Sequence, residues 1–77
     1  MKFKTGDILK GKNEPIKWNN YMFDVRNDIY KVNGVNPKRG LYFIEYLSMS
    51  NTNKEILYDA NYIDIAFIKV EDEEEML

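Results

Sequence analysis

Leu41-Tyr42-Phe43-Ile44-Glu45-Tyr46-Leu47 decides the fold class. Large apolar and aromatic side chains alternate through this stretch, and β-branched and aromatic residues suit a pleated, half-buried surface. A period of two places Tyr42, Ile44 and Tyr46 on one face of a strand and Leu41, Phe43, Glu45 and Leu47 on the other. The carboxylate of Glu45 marks the second face as wet, so the first faces the core and Phe43 lies on the surface or under a loop.

The same alternation recurs upstream. Tyr21, Phe23 and Val25 alternate with Met22, Asp24 and Arg26, which reads as a half-buried strand. Tyr30 and Val32 then fall on the opposite parity. Both sets can face one core only if a bulge or turn intervenes near Asn27-Asp28. Thr5-Gly6-Asp7 is a turn signal and Ile8-Leu9 begins a short strand. Residues 11–20, with Gly11, Pro15 and the pair Asn19-Asn20, read as a loop from which Ile16 and Trp18 fold back over the core edge. Asn33-Gly34 and Asn36-Pro37-Lys38-Arg39-Gly40 read as one long hairpin loop over 33–40. Residues 48–53 are polar apart from Met49 and read as a second hairpin loop, after which Glu55 to Tyr58 resumes the sheet. Asp64 is expected to cap a single helical turn over Ile65-Ala66-Phe67, with Ile68 and Val70 in a last short strand. A continuous helix over 59–70 is the rival, weakened by Tyr62, Ile63, Ile65, Ile68 and Val70.

The expectation is a mostly β domain of four or five short strands with a single helical turn before the last strand. A small SH3-like barrel is the leading architecture, since two small sheets sharing bent strands enclose a core of this size. A sheet with a C-terminal helix laid across it is the alternative. The domain is expected to span residues 1–70, and residues 71–77 to form an acidic, mobile tail.

Seventy-seven residues make one domain, which buries only about 60% of the surface its unfolded chain exposes. Four Phe, six Tyr and one Trp must supply much of its core. The absence of cysteine fits a reducing compartment. Lys2, Lys4 and Asp7 interrupt the first apolar stretch, so it does not read as a secretory signal. No run approaches the roughly twenty apolar residues that span a bilayer. These features lead to the expectation of a cytoplasmic protein.

Charge is divided along the chain. Residues 1–40 carry nine basic and four acidic groups, a net of +5, whereas residues 41–77 carry two basic and nine acidic groups, a net of -7. With neither His nor Cys, the common zinc sites, thiol catalysis and His-based triads are excluded. Ser48 and Ser50 have no base beside them in sequence. Asp59 and Asp64 are better read as turn and cap residues than as an acid/base pair. The four glycines are dispersed, so no phosphate-binding loop is visible. A non-enzymatic protein without cofactor or metal is the expectation.

The order of the pieces carries a resemblance. Phe3-Lys4-Thr5-Gly6-Asp7-Ile8 resembles the opening of small SH3-like barrels, and Asp28-Ile29-Tyr30-Lys31-Val32 and Leu41 to Leu47 resemble their second and third strands. Asn61 to Val70 is similar to their short helical turn and closing strand. Stand-alone barrels of this kind occur among small proteins of bacteriophages and mobile elements. The resemblance covers most of residues 3–70 and rests on core and turn positions. It implies a scaffold that binds peptides or host proteins in some relatives and nucleic acid in others. The leading expectation is therefore a protein-binding module, a phage-encoded modulator or inhibitor of a host protein that acts in the host cytoplasm. A nucleic-acid-binding module is the second reading, and a structural or assembly protein that self-associates is the third.

Three surfaces are candidates. Trp18, between Lys17 and Asn19, is either an interface anchor or a core cap, and Phe43, Tyr46 and Tyr58 would extend an aromatic protein-binding groove. Lys10 and Lys12, with Lys38 and Arg39, form the basic set that the nucleic-acid reading requires. Glu71, Asp72, Glu73, Glu74 and Glu75 would steer a basic protein into contact.

Overall fold

A computed structural model describes residues 1–47 and 55–70. The chain forms β1 (Ile8–Gly11), β2 (Ile16–Trp18), β3 (Tyr21–Phe23), β4 (Ile29–Asn36), β5 (Leu41–Tyr46), β6 (Glu55–Asp59), helix α1 (Ala60–Ala66) and β7 (Phe67–Lys69). Five strands make one sheet in the order β6-β5-β4-β1-β7, and β2 and β3 form a separate hairpin. All the pairings are antiparallel. The domain is thus mostly β with one short helix, as its alternation implies. Among the described residues the sheet does not close into a barrel, because β6 and β7 occupy its opposite edges without pairing.

Strand β1 is the sheet's shared element. Leu9 faces Tyr30 of β4 on one side and Lys69 of β7 on the other. Before it, the Gly-Asp turn forms as its sequence suggests. Gly6 adopts φ 98°, the Asp7 amide donates to the Lys4 carbonyl at 3.1 Å, and the Asp7 carboxylate accepts from the Lys4 amide at 3.0 Å. A positive φ at the third turn position is what favours glycine there. Asp7 is buried, and Lys69 Nζ lies 3.5 Å from its Oδ1.

Gly11 ends β1 under a tight constraint. A Cβ at this position would overlap the backbone carbonyl of Val25. The Gly11 amide donates to the Asp28 carbonyl at 3.0 Å, and the Asp28 amide donates to that same Val25 carbonyl oxygen at 3.0 Å. The turn at 25–28 therefore presses on β1, and it supplies the break in phase between Val25 and Tyr30.

Residues 11–20 are not a plain loop. Ile16–Trp18 pairs with Tyr21–Phe23 across a two-residue turn in which Asn19 and Asn20 have φ of 49° and 67°. Two consecutive left-handed residues give the hairpin turn whose twist matches its strands, and Asn tolerates that conformation. The strand over 21–26 accordingly stops at Phe23, and all three β3 residues are exposed. The 33–40 loop is likewise shorter than its sequence suggests. Strand β4 continues to Asn36, the register shifts between Val32 and Gly34, and only Pro37–Gly40 turns the chain. Asn33-Gly34 is thus a bulge rather than a turn.

Strand β5 packs as its alternation requires. Tyr42 and Ile44 are fully buried, Tyr46 is half-buried against the core, and Phe43 is half-buried on the opposite face, opposite Leu57. Helix α1 begins earlier than Asp64. Asp59 is its N-cap and accepts from the Asn61 amide at 2.8 Å. Ala60, Ile63 and Ala66 are its buried face, and a three-residue spacing puts them on one side. Asp64 instead accepts from the Tyr42 hydroxyl at 2.6 Å and from the Lys2 amide at 3.1 Å. The Phe3 amide donates to the Tyr42 oxygen at 3.0 Å. The N-terminal segment is thereby strapped to the helix, and Phe3 joins the core. The last strand is Phe67–Lys69, one position earlier than the alternation of Ile68 and Val70 suggests. The hairpin loop expected over 48–53 and the acidic tail of 71–77 lie outside the described residues.

Ile44 touches no solvent and lies opposite Val32 and Ile56. Ile44→Ala is expected to cost about 2–4 kcal/mol, measured by chemical denaturation. Gly11→Ala is expected to cost at least about 2 kcal/mol, because a backbone carbonyl must move to admit the methyl group. A loss below about 0.5 kcal/mol would show that β1 and the 25–28 turn are less tightly apposed.

Burial, then the hydrogen bond to Asp64, pushes the Tyr42 phenol up to about 12. Burial, then the neighbouring Tyr58 and Asp28, also raises Tyr30. In the unfolded chain both phenols ionise near about pH 10. The stabilisation is fully present below that pH. It is lost as pH rises through the folded values, since the unfolded state gives up its protons first. The denaturation midpoint is expected to fall from about pH 10 upward, and Tyr42→Phe is expected to flatten that fall. An unchanged slope in Tyr42→Phe would remove this phenol as a source.

Candidate functional site

Where the β2–β3 hairpin meets the start of α1, the rings leave an open cavity of about 300 Å³. Its aromatic wall comes from Trp18, Phe23, Tyr30, Tyr58 and Tyr62, and Val25 also lines it. Each ring is placed by a different piece of the fold. Trp18 ends β2 just before the Asn19-Asn20 turn, and Phe23 ends β3 opposite buried Ile16. Tyr30 is a core residue of β4 whose ring meets Phe67 at 5.1 Å. Tyr58 is on β6 opposite Tyr42, and Tyr62 is on the first turn of α1.

Tyr62 is the hub. Its ring centroid lies 5.9 Å from Trp18, 5.6 Å from Phe23 and 6.0 Å from Tyr58. The Tyr58 and Tyr62 planes differ by 28°, a stacked pair, whereas Phe23 meets Tyr62 edge-on at 69°. Tilted and edge contacts at these separations match the quadrupole preference of aromatic pairs. The cluster continues inward through Tyr58–Tyr30 at 6.2 Å and Tyr30–Tyr46 at 5.2 Å.

Three carboxylates complete the lining, Asp24, Asp28 and Asp59, and no lining residue is basic. Asp24 is paired. Arg26 donates to it from Nε at 2.9 Å and from Nη2 at 2.7 Å. Those bonds hold the Asp24 carboxyl below its ordinary range and raise Arg26. Both side chains are more than half exposed, so the pair adds little to stability. Asp28 accepts from the Tyr46 hydroxyl at 3.0 Å through Oδ1, and Asp59 uses Oδ1 to cap α1. The bonds described for these two carboxylates each use Oδ1.

The electrostatic effect of Asp28 reaches the rings. Burial is the first cause that raises the Tyr62 phenol, followed by the charges of Tyr58 and Asp28. The same two neighbours act on Tyr30. A negative charge on Tyr30 or Tyr62 is therefore disfavoured, and these two hydroxyls stay protonated as hydrogen-bond donors.

Of the aromatic residues singled out by sequence, Trp18 and Tyr58 line the cavity. Trp18 is half-buried and forms one wall of the open cavity. Tyr46 stands behind it, joined through Tyr30 and Asp28. Phe43 is on the other face of the sheet and takes no part. The basic set does not converge. Lys10 lies opposite Ile29 at one end of β4, with Lys12 just beyond β1, while Lys38 and Arg39 are in the turn at the other end. Glu71, Asp72, Glu73, Glu74 and Glu75 are outside the described residues. Among those described, no group of three acidic side chains is placed to hold a metal ion, and no helix is long and apolar enough to cross a membrane.

Phe23, Tyr30, Tyr62 and the carboxylates of Asp24, Asp28 and Asp59 join the site without having been singled out as binding residues. Tyr30 reads as core and Asp59 as a cap, and they are both of those as well. Tyr62 is the addition that matters most. A signal for it exists in the cap itself, since an N-cap at Asp59 sets Tyr62 at the third helical position, half-buried beside buried Ile63. No family model matches the chain, and neither a curated protein nor a solved structure matches it.

Proposed function

We propose that this chain is a small, non-enzymatic protein-binding module and that its partner docks at the cavity between the β2–β3 hairpin and α1. The observation that carries the proposal is the cavity wall of five aromatic rings, which opens to solvent beside an exposed aromatic strand. Aromatic anchors in a desolvated depression supply most of the energy at protein interfaces. Tyr21 is 69% exposed, Met22 63% and Phe23 39%. A three-residue strand with no buried member contributes little to a core. It does extend the apolar surface beyond the cavity rim, and patches of this kind mark interaction sites.

An SH3-like arrangement is the architectural part of the proposal. Strands β1, β4, β5 and β6 follow one another as sheet neighbours apart from the inserted hairpin, and the short helix precedes a last strand that pairs with the first. This order is the one the sequence resemblance implies. With it come the readings of a phage-encoded modulator of a host protein and of action in the host cytoplasm. The nucleic-acid reading has less support, because Lys10 and Lys12 are separated from Lys38 and Arg39 by the length of β4, roughly 24 Å at the rise of a strand.

The test is a binding comparison with a partner captured from candidate-host lysate and then purified. Trp18→Ala is expected to weaken that direct complex by about tenfold or more while the domain stays folded by circular dichroism. Lys38→Ala, at the far hairpin, is expected to leave it unchanged. Unaltered affinity in a folded Trp18→Ala variant would place the partner elsewhere.

A further inference from the structure

We infer that the cavity's ligand group is a guanidinium, the side chain of an arginine presented by the partner. This rests on the protein-binding reading and names the chemistry of the same site. Rings and carboxylates are its two components, and a cation is what both attract. The ring faces carry the negative end of the aromatic quadrupole and draw cations to within about 6 Å. Asp28 and Asp59 add formal negative charge, and each has one carboxylate oxygen not used by its described bonds. Asp24 is already neutralised by Arg26, so it adds less. No lining residue offers a compensating positive charge.

Among cations, the guanidinium fits this lining best. It is planar and stacks on aromatic faces. It is more weakly hydrated than an ammonium, and its fixed fork of donors matches a carboxylate. A lysine ammonium must give up a stronger hydration shell to enter a half-open aromatic site. A quaternary ammonium carries no N–H to meet the oxygens of Asp28 and Asp59. The exposed Arg26–Asp24 pair shows a guanidinium already bonded to one carboxylate of the lining, through two of its nitrogens.

The test uses the full chain, labelled for NMR and titrated with N-acetyl-arginine amide. Saturable shifts are expected at the Trp18 indole N–H and at the Tyr58 and Tyr62 rings, with a dissociation constant in the millimolar range, as befits one side chain. The citrulline derivative, equal in shape and neutral, is expected to bind about tenfold more weakly. The lysine derivative and choline are both expected to be weaker than arginine. Asp28→Asn is expected to reduce arginine binding about tenfold. Because Asp28 also holds Tyr46, Asp59→Asn gives a second variant in which Asn retains the helix cap and only the charge is lost. A fall in affinity in a folded variant supports the inference.

Equal shifts with arginine and citrulline derivatives would overturn it, as would equal or tighter binding of the lysine derivative or choline. Arginine-induced shifts that do not saturate, or that avoid Trp18, would also overturn it. The two readings fail separately. A Trp18-dependent protein complex with no arginine site leaves the module standing and removes the guanidinium. A complex indifferent to Trp18→Ala removes the docking site itself.

Discussion

Strand β1 is held from both sides, and the rest of the domain depends on that double pairing. Only four residues long, it hydrogen-bonds to β4 through Ile8–Lys10 and to β7 through Leu9–Gly11. Leu9 is fully buried at its centre. The pairing with β7 joins the two ends of the described fold, and the loop between these partners is most of the chain. Closing a loop of that length is entropically costly but grows only slowly with its length. A few well-buried contacts therefore suffice. Leu9, Phe67 and Tyr30 provide them, and the Lys12 amide extends the ladder by donating to the Ala66 carbonyl at 3.0 Å.

That closure sets the geometry of the site. Gly11 admits the Val25 carbonyl against the end of β1, which brings the β2–β3 hairpin back over the sheet. Ile16 anchors the hairpin in the core, leaving Trp18 and Phe23 at its outer end. Meanwhile the β6-to-α1 connection has no spare residue. Asp59 is both the last residue of β6 and the cap of the helix, and the Ala60 amide donates to the Gly40 carbonyl at 2.7 Å. Tyr62 is thereby fixed against Trp18, Phe23 and Tyr58. The cavity is formed by elements held on opposite sides of the chain's closure, which makes its shape a property of the whole fold.

The sheet was more legible in the sequence than the site, for physical reasons. Alternation is a direct record of two-sided burial, so β5 and the inward parity of Tyr30 and Val32 follow from it. Asn19-Asn20 left less trace. The dipeptide without glycine reads as loop composition, yet both residues take the left-handed conformation and turn a hairpin. Asn33-Gly34 carries the stronger turn signal and is instead a bulge, because the pairing continues through Asn36 and Pro37–Gly40 turns the chain. Asp59 and Asp64 are both plausible caps by composition. Tertiary bonding decides between them, since Asp64 is taken by Tyr42 and Lys2. Trp18 was legible as a candidate because a large ring between polar residues of a turn-rich segment is either an anchor or a cap, and both Trp18 and Tyr58 line the cavity. The contribution of Tyr62 depends on where the helix starts: a cap at Asp64 leaves it outside the helix, whereas the cap at Asp59, five residues earlier, puts it in the first turn.

The aromatic residues serve two purposes along one continuous cluster. At its inner end Tyr30 is buried and touches Phe67, and Tyr42 is buried beneath Asp64 and Phe3. At its outer end Tyr62 and Trp18 remain half-buried. A domain of this size has little interior, so a ring half in the core adds burial on one face and leaves the other for contact. The carboxylates have the same double character. Asp59 caps a helix and Asp28 holds a tyrosine, each through Oδ1, and both residues also line the cavity. Fixing a carboxylate by a structural bond limits its rotation without neutralising it. A ligand of the kind proposed would meet negative charge already positioned beside these rings, which would lower the ordering cost of binding.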